Sequence, residues 1–196
     1  MAYFRSQDDV FPPKLLKRLR GRILACPFLS VNNLNRDFIG TRGFSVVFRR
    51  SGIPQVLEQF PFFETYLERL LLADCNAFYL NPLVMTQGSR VDPHIDRSLR
   101  SYCKTVNPPD WVSVLYVEVP DPLVGGQLML SHGKKQVGQI TPQANRLLYF
   151  QGNLTHAVQT VETAAMRLSL VCEQYNLTDT ELNEIPELTI ESRARR

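Results

Sequence analysis

The second half of the sequence is a succession of short hydrophobic segments that alternate with turn-forming residues. From Asn76 onward seven such segments follow one another, and clusters of Gly, Pro, Asn and Asp separate them: AFYLNPLVM, WVSVLYVEV, GGQLMLS, KQVGQI, RLLYF, HAVQTV and MRLSLVCEQY. Segments of this length and composition, bounded by turn residues, are typical of β-strands. Evenly spaced strands without helices between them predict a sandwich or a barrel.

The N-terminal part of the chain predicts two helices and one extended segment. Apolar residues recur at helical spacing over residues 13–25 and again near 62–73, and GFSVVFRR between them reads as a strand. The predicted fold class is therefore mainly β with N-terminal helices that cover one face of the core. We predict three regions: a helical and extended region at 1–75, a β core at 76–178, and a polar tail at 179–196 that runs over the surface.

Charge is unevenly distributed along the chain. The net charge is +3, yet residues 14–50 contain nine Lys and Arg residues and a single acid, Asp37. Such a patch is able to meet nucleic acid or an acidic partner. Leu15, Leu19 and Ile23 recur between the basic residues at helical spacing, which favours an amphipathic helix with a solvated basic face.

The cysteines and the hydropathy pattern bear on the compartment. The four cysteines form no CxxC pair, which is typical of reduced thiols inside a cell. No apolar run approaches the roughly 20 residues that cross a bilayer. We therefore predict a cytoplasmic protein without a membrane span.

The stretch VDPHIDRS places His94 and Asp96 two positions apart, in a chain with only three histidines. On an extended strand residues two apart project to the same face, so both side chains reach one point in space. A metal site needs a third ligand. His132 lies in the polar stretch SHGKK and reads as a hairpin residue, whereas His156 enters the strand-like HAVQTV. Two imidazoles and one carboxylate leave coordination positions open, which suits Fe(II) better than structural zinc.

Arg167 lies in a strand pattern that is otherwise apolar. The alternation in MRLSLVC places Arg167, Ser169 and Val171 on one face and the intervening residues on the other. A buried guanidinium requires an acid. Either a protein carboxylate, for example Glu118 or Glu173, or a bound dicarboxylate would satisfy it.

These segments, in this order, resemble the 2-oxoglutarate and Fe(II)-dependent dioxygenase superfamily, and within it the prolyl 4-hydroxylase-like group. The resemblance is carried by His94-Ile-Asp96, SVLYVEV, GGQLML, ITPQANRLLYF, His156 and Arg167-Leu-Ser169, and it covers about residues 76–176. It implies a double-stranded β-helix, or jelly roll, with N-terminal helices packed on it.

The resemblance also implies roles for single residues. His94, Asp96 and His156 become the catalytic iron ligands, and Arg167 becomes the anchor of the cosubstrate, with Tyr116 and Ser169 assisting. Gly125 and Gly126 match a glycine pair with the role of a tight turn. The implied cofactors are Fe(II), 2-oxoglutarate as cosubstrate, O2, and ascorbate as reductant. The implied reaction hydroxylates an unactivated C–H bond, in a prolyl residue or a related amino acid, and releases succinate and CO2.

The sequence departs from the family pattern in ways that bear on the substrate. Met85 and Thr86 stand in a region where many hydroxylases of this group carry a tyrosine, and collagen-type enzymes use lysine in place of Arg167. The RxNxTxR pattern of nucleic-acid demethylases is absent after His156, so nucleic acid is not the expected partner. The expected partner is a peptide or a small molecule, and the loop at 97–110 lies where such enzymes hold a substrate lid.

Two other functions remain open on the sequence. The first is a non-catalytic jelly roll that binds iron and 2-oxoglutarate and uses its basic N-terminal face to hold an acidic partner or nucleic acid. The second is a cupin-like metalloenzyme of different chemistry, for which three histidines are few.

Overall fold

The computed structural model describes residues 2–31 and 36–194, and within them two antiparallel sheets and four α-helices. The strands are β1 Phe4–Gln7, β2 Ser30–Val31, β3 Phe38–Ile39, β4 Arg42–Gly43, β5 Ser45–Arg49, β6 Ala77–Met85, β7 Arg90–His94, β8 Trp111–Glu118, β9 Leu128–His132, β10 Lys135–Ile140, β11 Leu147–Gln151, β12 Thr155–Val158, β13 Arg167–Tyr175 and β14 Leu188–Glu191. The helices are α1 Pro13–Leu24, α2 Ile53–Gln59, α3 Glu64–Leu70 and α4 Asp179–Glu184.

The two sheets enclose a cavity. The larger sheet runs β1-β11-β8-β13-β6-β4-β2, with β5 also paired to β6 and β14 paired to β5. The smaller sheet runs β10-β9-β12-β7-β3. Side chains from both sheets line one cavity between them. This is the double-stranded β-helix, so the predicted fold class is confirmed, and all seven strands predicted after Asn76 are present.

Strand β13 lies in the middle of the larger sheet, between β8 and β6. Its Leu168, Leu170 and Cys172 are buried in the core beneath the helices. Arg167 and Ser169, on the other face, line the cavity. The alternation predicted from the sequence therefore sends one face of β13 to the core and the other to the site.

Helix α1 covers the core with a narrow apolar stripe. Leu19 and Ile23 are fully buried, and each contributes about 1.5–3 kcal/mol of burial free energy. Pro13 occupies the first turn, where its missing N–H costs nothing. The remaining basic side chains of the helix face solvent: Lys14, Lys17, Arg18, Arg20 and Arg22. The amphipathic interpretation of the basic region is confirmed for α1.

The second predicted helix is shorter than expected. A 3₁₀ turn at Pro61–Phe63 precedes α3, which ends at Leu70 rather than near residue 73. The carbonyl of Leu70 accepts hydrogen bonds from the side chains of Tyr149 and Gln174, and Gln174 also accepts from the backbone N–H of Leu72. Tertiary partners therefore replace the hydrogen bonds that would have continued the helix.

The C-terminal segment is more ordered than a tail that runs over the surface. Thr178 and Glu181 form a capping box that starts α4, and β14 then pairs with β5 in the larger sheet. Leu188 and Ile190 pack against the core, which the polar composition of the segment hides. The expectation of a surface tail was wrong for β14. The division into three regions stays a prediction, and residues 1, 32–35, 195 and 196 lie outside the described residues.

None of the helices in the described part of the chain is long and apolar enough to span a bilayer.

Candidate active site

The cavity between the sheets gathers the polar residues that the sequence singled out. His94, Asp96 and His156 lie on its smaller-sheet side, and Arg167 and Tyr116 on the larger sheet. Apolar side chains fill the rest of the wall between them: Phe38, Leu83, Val91, Val114, Leu128, Phe150, Val158 and Val171. The polar groups therefore face one another across a largely apolar space.

The two histidines and the aspartate converge because of the strand register. His94 ends β7, His156 lies directly opposite it on β12, and Asp96 follows two residues after the strand end. His94 Nε2 lies 3.2 Å from Asp96 Oδ1, and His156 Nε2 lies 3.3 Å from Asp96 Oδ2. All three potential ligand atoms lie within 4.8 Å of one another. We call these three residues the trio.

The backbone fixes the tautomer of both rings. His94 Nδ1 lies 2.8 Å from the carbonyl of Asp92, and His156 Nδ1 lies 3.2 Å from the carbonyl of Leu154. A carbonyl only accepts, so each Nδ1 carries a proton, and in the neutral ring each Nε2 offers a lone pair. In that state two lone pairs point at the Asp96 carboxylate. A carbonyl that holds the outer nitrogen in this way is the usual support of a metal-bound histidine.

Two atoms of the trio have no hydrogen-bond partner although they are buried. His94 Nε2 and Asp96 Oδ2 are both inaccessible and unpaired. Burial lowers the pKa of His156. Burial opposes the charged form of His94 as well, but the hydrogen bond and the charge of Asp96 outweigh it and raise the pKa of His94. Burial alone would raise the pKa of Asp96, but His156 and His94 outweigh it and the net shift is downward. A neutral imidazole beside an ionised carboxylate is the protonation state that a divalent metal needs. The trio therefore fits a metal ion, and its role as an iron site stays a prediction.

Arg167 is buried without an acid. It is 2% exposed, and burial lowers its pKa. Its Nη1 donates to the carbonyl of Gly126, its Nε has no partner, and it forms no ion pair with any acid of the described residues. Neither internal salt bridge left open by the sequence forms. Glu118 pairs with Arg20, and Glu173 accepts from the side chains of Ser98 and Tyr175.

Two hydroxyl groups beside Arg167 are also unpaired. Tyr116 and Ser169 are cross-strand partners on β8 and β13, and both hydroxyls are buried without a hydrogen bond. The guanidinium carbon lies 5.5 Å from the centre of the Tyr116 ring. Leaving one such group unpaired costs about 1–3 kcal/mol. A carboxylate placed between these groups would satisfy all of them.

The glycine pair shapes this end of the cavity. Gly125 and Gly126 have φ values of +73° and +72°, which a side chain rarely tolerates. A Cβ on Gly125 would lie 2.0 Å from the carbonyl of Thr160, and one on Gly126 would lie 3.1 Å from Arg167 Nη1. Gly125 thus fits the tight turn expected from the sequence, and Gly126 also leaves room for the guanidinium.

The structure separates the remaining candidates. His132 is exposed at the end of β9, next to the ring of Tyr3 and apart from the trio. Glu173 and Asn81 line the cavity and are buried, yet the sequence analysis did not place them in the site. The signal for Glu173 was present, because it lies on the same face of β13 as Arg167 and Ser169.

The predicted lid segment is anchored rather than free. Leu99, Cys103 and Val106 of the 97–110 loop are buried with Tyr175 and Ile185 in a small separate cluster. The first turn of the loop is a 3₁₀ turn at Ser98–Ser101, directly after Asp96. This loop therefore fixes the position of Asp96 as well as bordering the cavity.

Two histidines and one carboxylate in the cavity of a jelly roll are typical of one class of protein. Proteins of this class bind a non-haem metal and leave some of its coordination positions open. Residues 80–172, which include β7 to β12 and most of β6 and β13, match the family model described as the 2OG-Fe(II) oxygenase superfamily. The resemblance seen in the sequence is thereby confirmed. No curated protein matches the sequence significantly.

Solved structures share the fold at low sequence identity. A prolyl-4-hydroxylase from Pseudomonas putida superposes with a TM-score of 0.61 at 16% identity, covering 91% of this chain and 95% of that one. A prolyl hydroxylase from Trichoplax adhaerens, in complex with a peptide fragment of the hypoxia inducible factor oxygen degradation domain, gives 0.58 at 15%, covering 93% and 87%. A viral collagen prolyl hydroxylase from Paramecium Bursaria Chlorella virus-1 gives 0.53 at 13%, covering 87% and 94%.

Proposed function

We propose that this protein is an Fe(II)- and 2-oxoglutarate-dependent dioxygenase that hydroxylates an unactivated C–H bond of a prolyl residue or a related amino acid. The observation that carries the proposal is the trio. Two imidazoles and a carboxylate converge within 4.8 Å of one another, and His94 Nε2 and Asp96 Oδ2 are buried without a hydrogen-bond partner. A cation among the three groups would satisfy these atoms and balance the carboxylate charge.

Under this proposal each polar residue of the cavity has a task. His94, Asp96 and His156 hold Fe(II) and leave its other positions open. Arg167 binds the distal carboxylate of 2-oxoglutarate through two parallel N–H groups, and the hydroxyls of Tyr116 and Ser169 donate to the same carboxylate. The unpaired state of Arg167 Nε and both hydroxyls supports this assignment.

When bound, Fe(II) and 2-oxoglutarate supply the activation of O2, with succinate and CO2 as coproducts and ascorbate as a reductant. The chain positions the reacting groups and excludes water from the cavity. Val91, Leu128 and Val158 form an apolar wall beside the trio, which keeps water from the reacting carbon. The carbonyls of Asp92 and Leu154 keep the imidazoles in one orientation through turnover.

The prolyl substrate class is supported by the neighbours. The Pseudomonas putida, Trichoplax adhaerens and viral proteins are all prolyl hydroxylases, and the second is in complex with a peptide. The cavity borders the 97–110 loop through Ser98, and this loop is the predicted substrate lid. We therefore extend the prolyl class to this chain as part of the proposal.

The proposal is tested by succinate release from anaerobically loaded protein after admission of air. Asp96→Ala removes the only carboxylate of the trio, so we expect at least about a hundredfold less succinate and a similar loss of Co(II) affinity. Asp74→Ala is the matched control, because Asp74 is exposed and does not line the cavity. Equal turnover in Asp96→Ala and wild type would refute the assignment. Tight binding of both cofactors by the wild type without succinate would favour a non-catalytic module.

A further inference from the structure

The cavity wall formed by β13 carries opposite charges at its two ends. Arg167, Ser169, Val171 and Glu173 are alternate residues of the strand, and all four line the cavity. At about 3.3 Å per residue, Arg167 and Glu173 are separated by roughly 20 Å along the strand. The proposed function uses the Arg167 end and gives no task to the Glu173 end.

Glu173 is a buried carboxylate without a cation. It is 3% exposed, and it accepts hydrogen bonds from Ser98 Oγ, from the Ser98 backbone N–H and from the Tyr175 hydroxyl. All three partners are neutral donors, so none of them supplies a counter-charge to the carboxylate. No Lys, Arg or His of residues 2–31 and 36–194 forms an ion pair with it.

The environment of Glu173 favours a positive charge. Burial, with a contribution from Asp96, raises the pKa of Glu173 to about 8 although the Ser98 and Tyr175 hydrogen bonds oppose the shift. A cation beside the carboxylate would offset the cost of its burial. No Lys, Arg or His of the described residues supplies this cation. An ammonium group of a ligand would supply it and would take the place of the proton that Glu173 otherwise holds below pH 8.

A second buried acceptor lines the same cavity on the neighbouring strand β6. Asn81 on β6 is 7% exposed and lines the same cavity, and its register partner is Val171. Its Nδ2 donates to Ser45 Oγ, which in turn donates to the Tyr79 hydroxyl. Its Oδ1 is buried and has no partner. This end of the cavity therefore offers acceptors, whereas the Arg167 end offers donors.

We propose that Glu173 and Asn81 form the substrate subsite, and that it takes a protonated amine. The proposal rests on the proposed function and narrows its substrate class to a molecule with an ammonium group. A free amino acid and a basic side chain of a peptide share this chemistry. A prolyl residue inside a peptide lacks it, because its nitrogen is an amide.

The test measures binding of matched pairs that differ in one charge. L-proline and N-acetyl-L-proline form the free amino acid pair, and a peptide with one lysine and its acetyl-lysine form make the peptide pair. Titration calorimetry is done anaerobically on the full chain, with and without Fe(II) and 2-oxoglutarate. We expect the charged member of one pair to bind at least about tenfold tighter, as is usual for a charge-assisted hydrogen bond. The pair that shows the preference identifies the source of the ammonium.

Glu173→Gln is the critical variant, since it keeps the shape and removes the charge. We expect the preference to fall below about threefold in Glu173→Gln. The control Glu162→Gln, at an exposed carboxylate, keeps it in full. Equal affinities within both pairs in the wild type would overturn the proposal, and so would an unchanged preference in Glu173→Gln. If Glu173→Gln fails to fold, the wild-type pairs decide alone.

The binding measurement and the succinate measurement test the two proposals separately. A preference for the amine without succinate release leaves the subsite standing and removes the proposed dioxygenase function. Succinate release without any preference for the amine leaves the dioxygenase standing and removes the subsite.

Discussion

The two ends of the cavity differ in how many hydrogen bonds the chain gives to a buried ionisable side chain. At one end Arg167 Nε and the hydroxyls of Tyr116 and Ser169 have no partner in the described chain. At the other end Glu173 receives three hydrogen bonds from the chain itself. The Arg167 end therefore lacks a counter-charge and several hydrogen bonds until a ligand supplies them. The Glu173 end lacks a counter-charge and, apart from Asn81 Oδ1, has its hydrogen bonds, which indicates a weaker and more exchangeable ligand.

The largest expected effect comes from removing the charge at the Arg167 end. Arg167→Met should weaken 2-oxoglutarate binding by about a hundredfold, since truncating one partner of a buried charge pair costs about 2–5 kcal/mol. Arg167→Lys keeps the charge without the two-pronged geometry and should lose less. Calorimetry with 2-oxoglutarate measures both.

The same variant separates a ligand site from a structural arginine. In the absence of 2-oxoglutarate, Arg167→Met should melt at the wild-type temperature or above, because it removes an uncompensated buried charge. Affinity for the amine at the Glu173 end should not change. A Arg167→Met protein that binds 2-oxoglutarate within about threefold of wild type would contradict the assignment of this end.

A smaller loss of 2-oxoglutarate affinity is expected from a substitution in the backbone beside Arg167. Gly126→Ala would place a Cβ 3.1 Å from Arg167 Nη1 on a residue with φ of +72°. Gly133→Ala is the matched control, because Gly133 has φ of +60° and nothing within 4 Å of an added Cβ. Both variants should lose about 1 kcal/mol of stability from backbone strain. Only Gly126→Ala should also bind 2-oxoglutarate several-fold more weakly, and equal affinities in the two variants would show that the contact does not matter.

The smallest effect concerns pH and tests the Glu173 end. Burial raises the pKa of Glu173 to about 8 in the folded chain, well above the usual range of a glutamate. The folded state therefore takes up a proton as pH falls through 8, and the stability that this group adds grows as pH falls from 8 toward the unfolded pKa and is lost as pH rises back to 8. Glu173→Gln has no carboxyl group at this position, so its stability does not fall in this way as pH rises. We expect its melting temperature, relative to wild type, to rise by at least about 2 °C between pH 6 and pH 9, whereas Glu162→Gln should show a constant difference.

The sequence predicted the parts of the site that depend on local periodicity. The alternation along β13 placed Arg167 and Ser169 on the cavity face, and the context of HAVQTV selected His156 over His132. The strands themselves follow from the same two-residue period. Because β7 and β12 pair in antiparallel register, residues 62 positions apart become neighbours. This strand register is a property of the tertiary structure, and only the resemblance to a known family predicted it.

What the sequence did not predict depends on distance and on unpaired atoms. Glu173 was considered as a salt-bridge partner of Arg167, but six residues along one strand place the two too far apart. The spacing of the two residues along the strand therefore assigns Glu173 to the other end of the cavity. The missing partners of Asn81 Oδ1 and the Tyr116 hydroxyl depend on every neighbouring side chain, and no pattern in the sequence encodes them. β14 was missed because the polar residues around it mask its two core contacts.

The position of β13 in the chain has a consequence for synthesis on the ribosome. β6 and β8, which flank it in the sheet, are made about 50 residues or more before its last residue leaves the exit tunnel, at a pace of roughly 5–20 residues per second. For several seconds the nascent chain therefore presents two unpaired strand edges and no closed sheet. The larger sheet therefore closes late in synthesis, and the interval before β13 arrives is when a chaperone would protect the chain best.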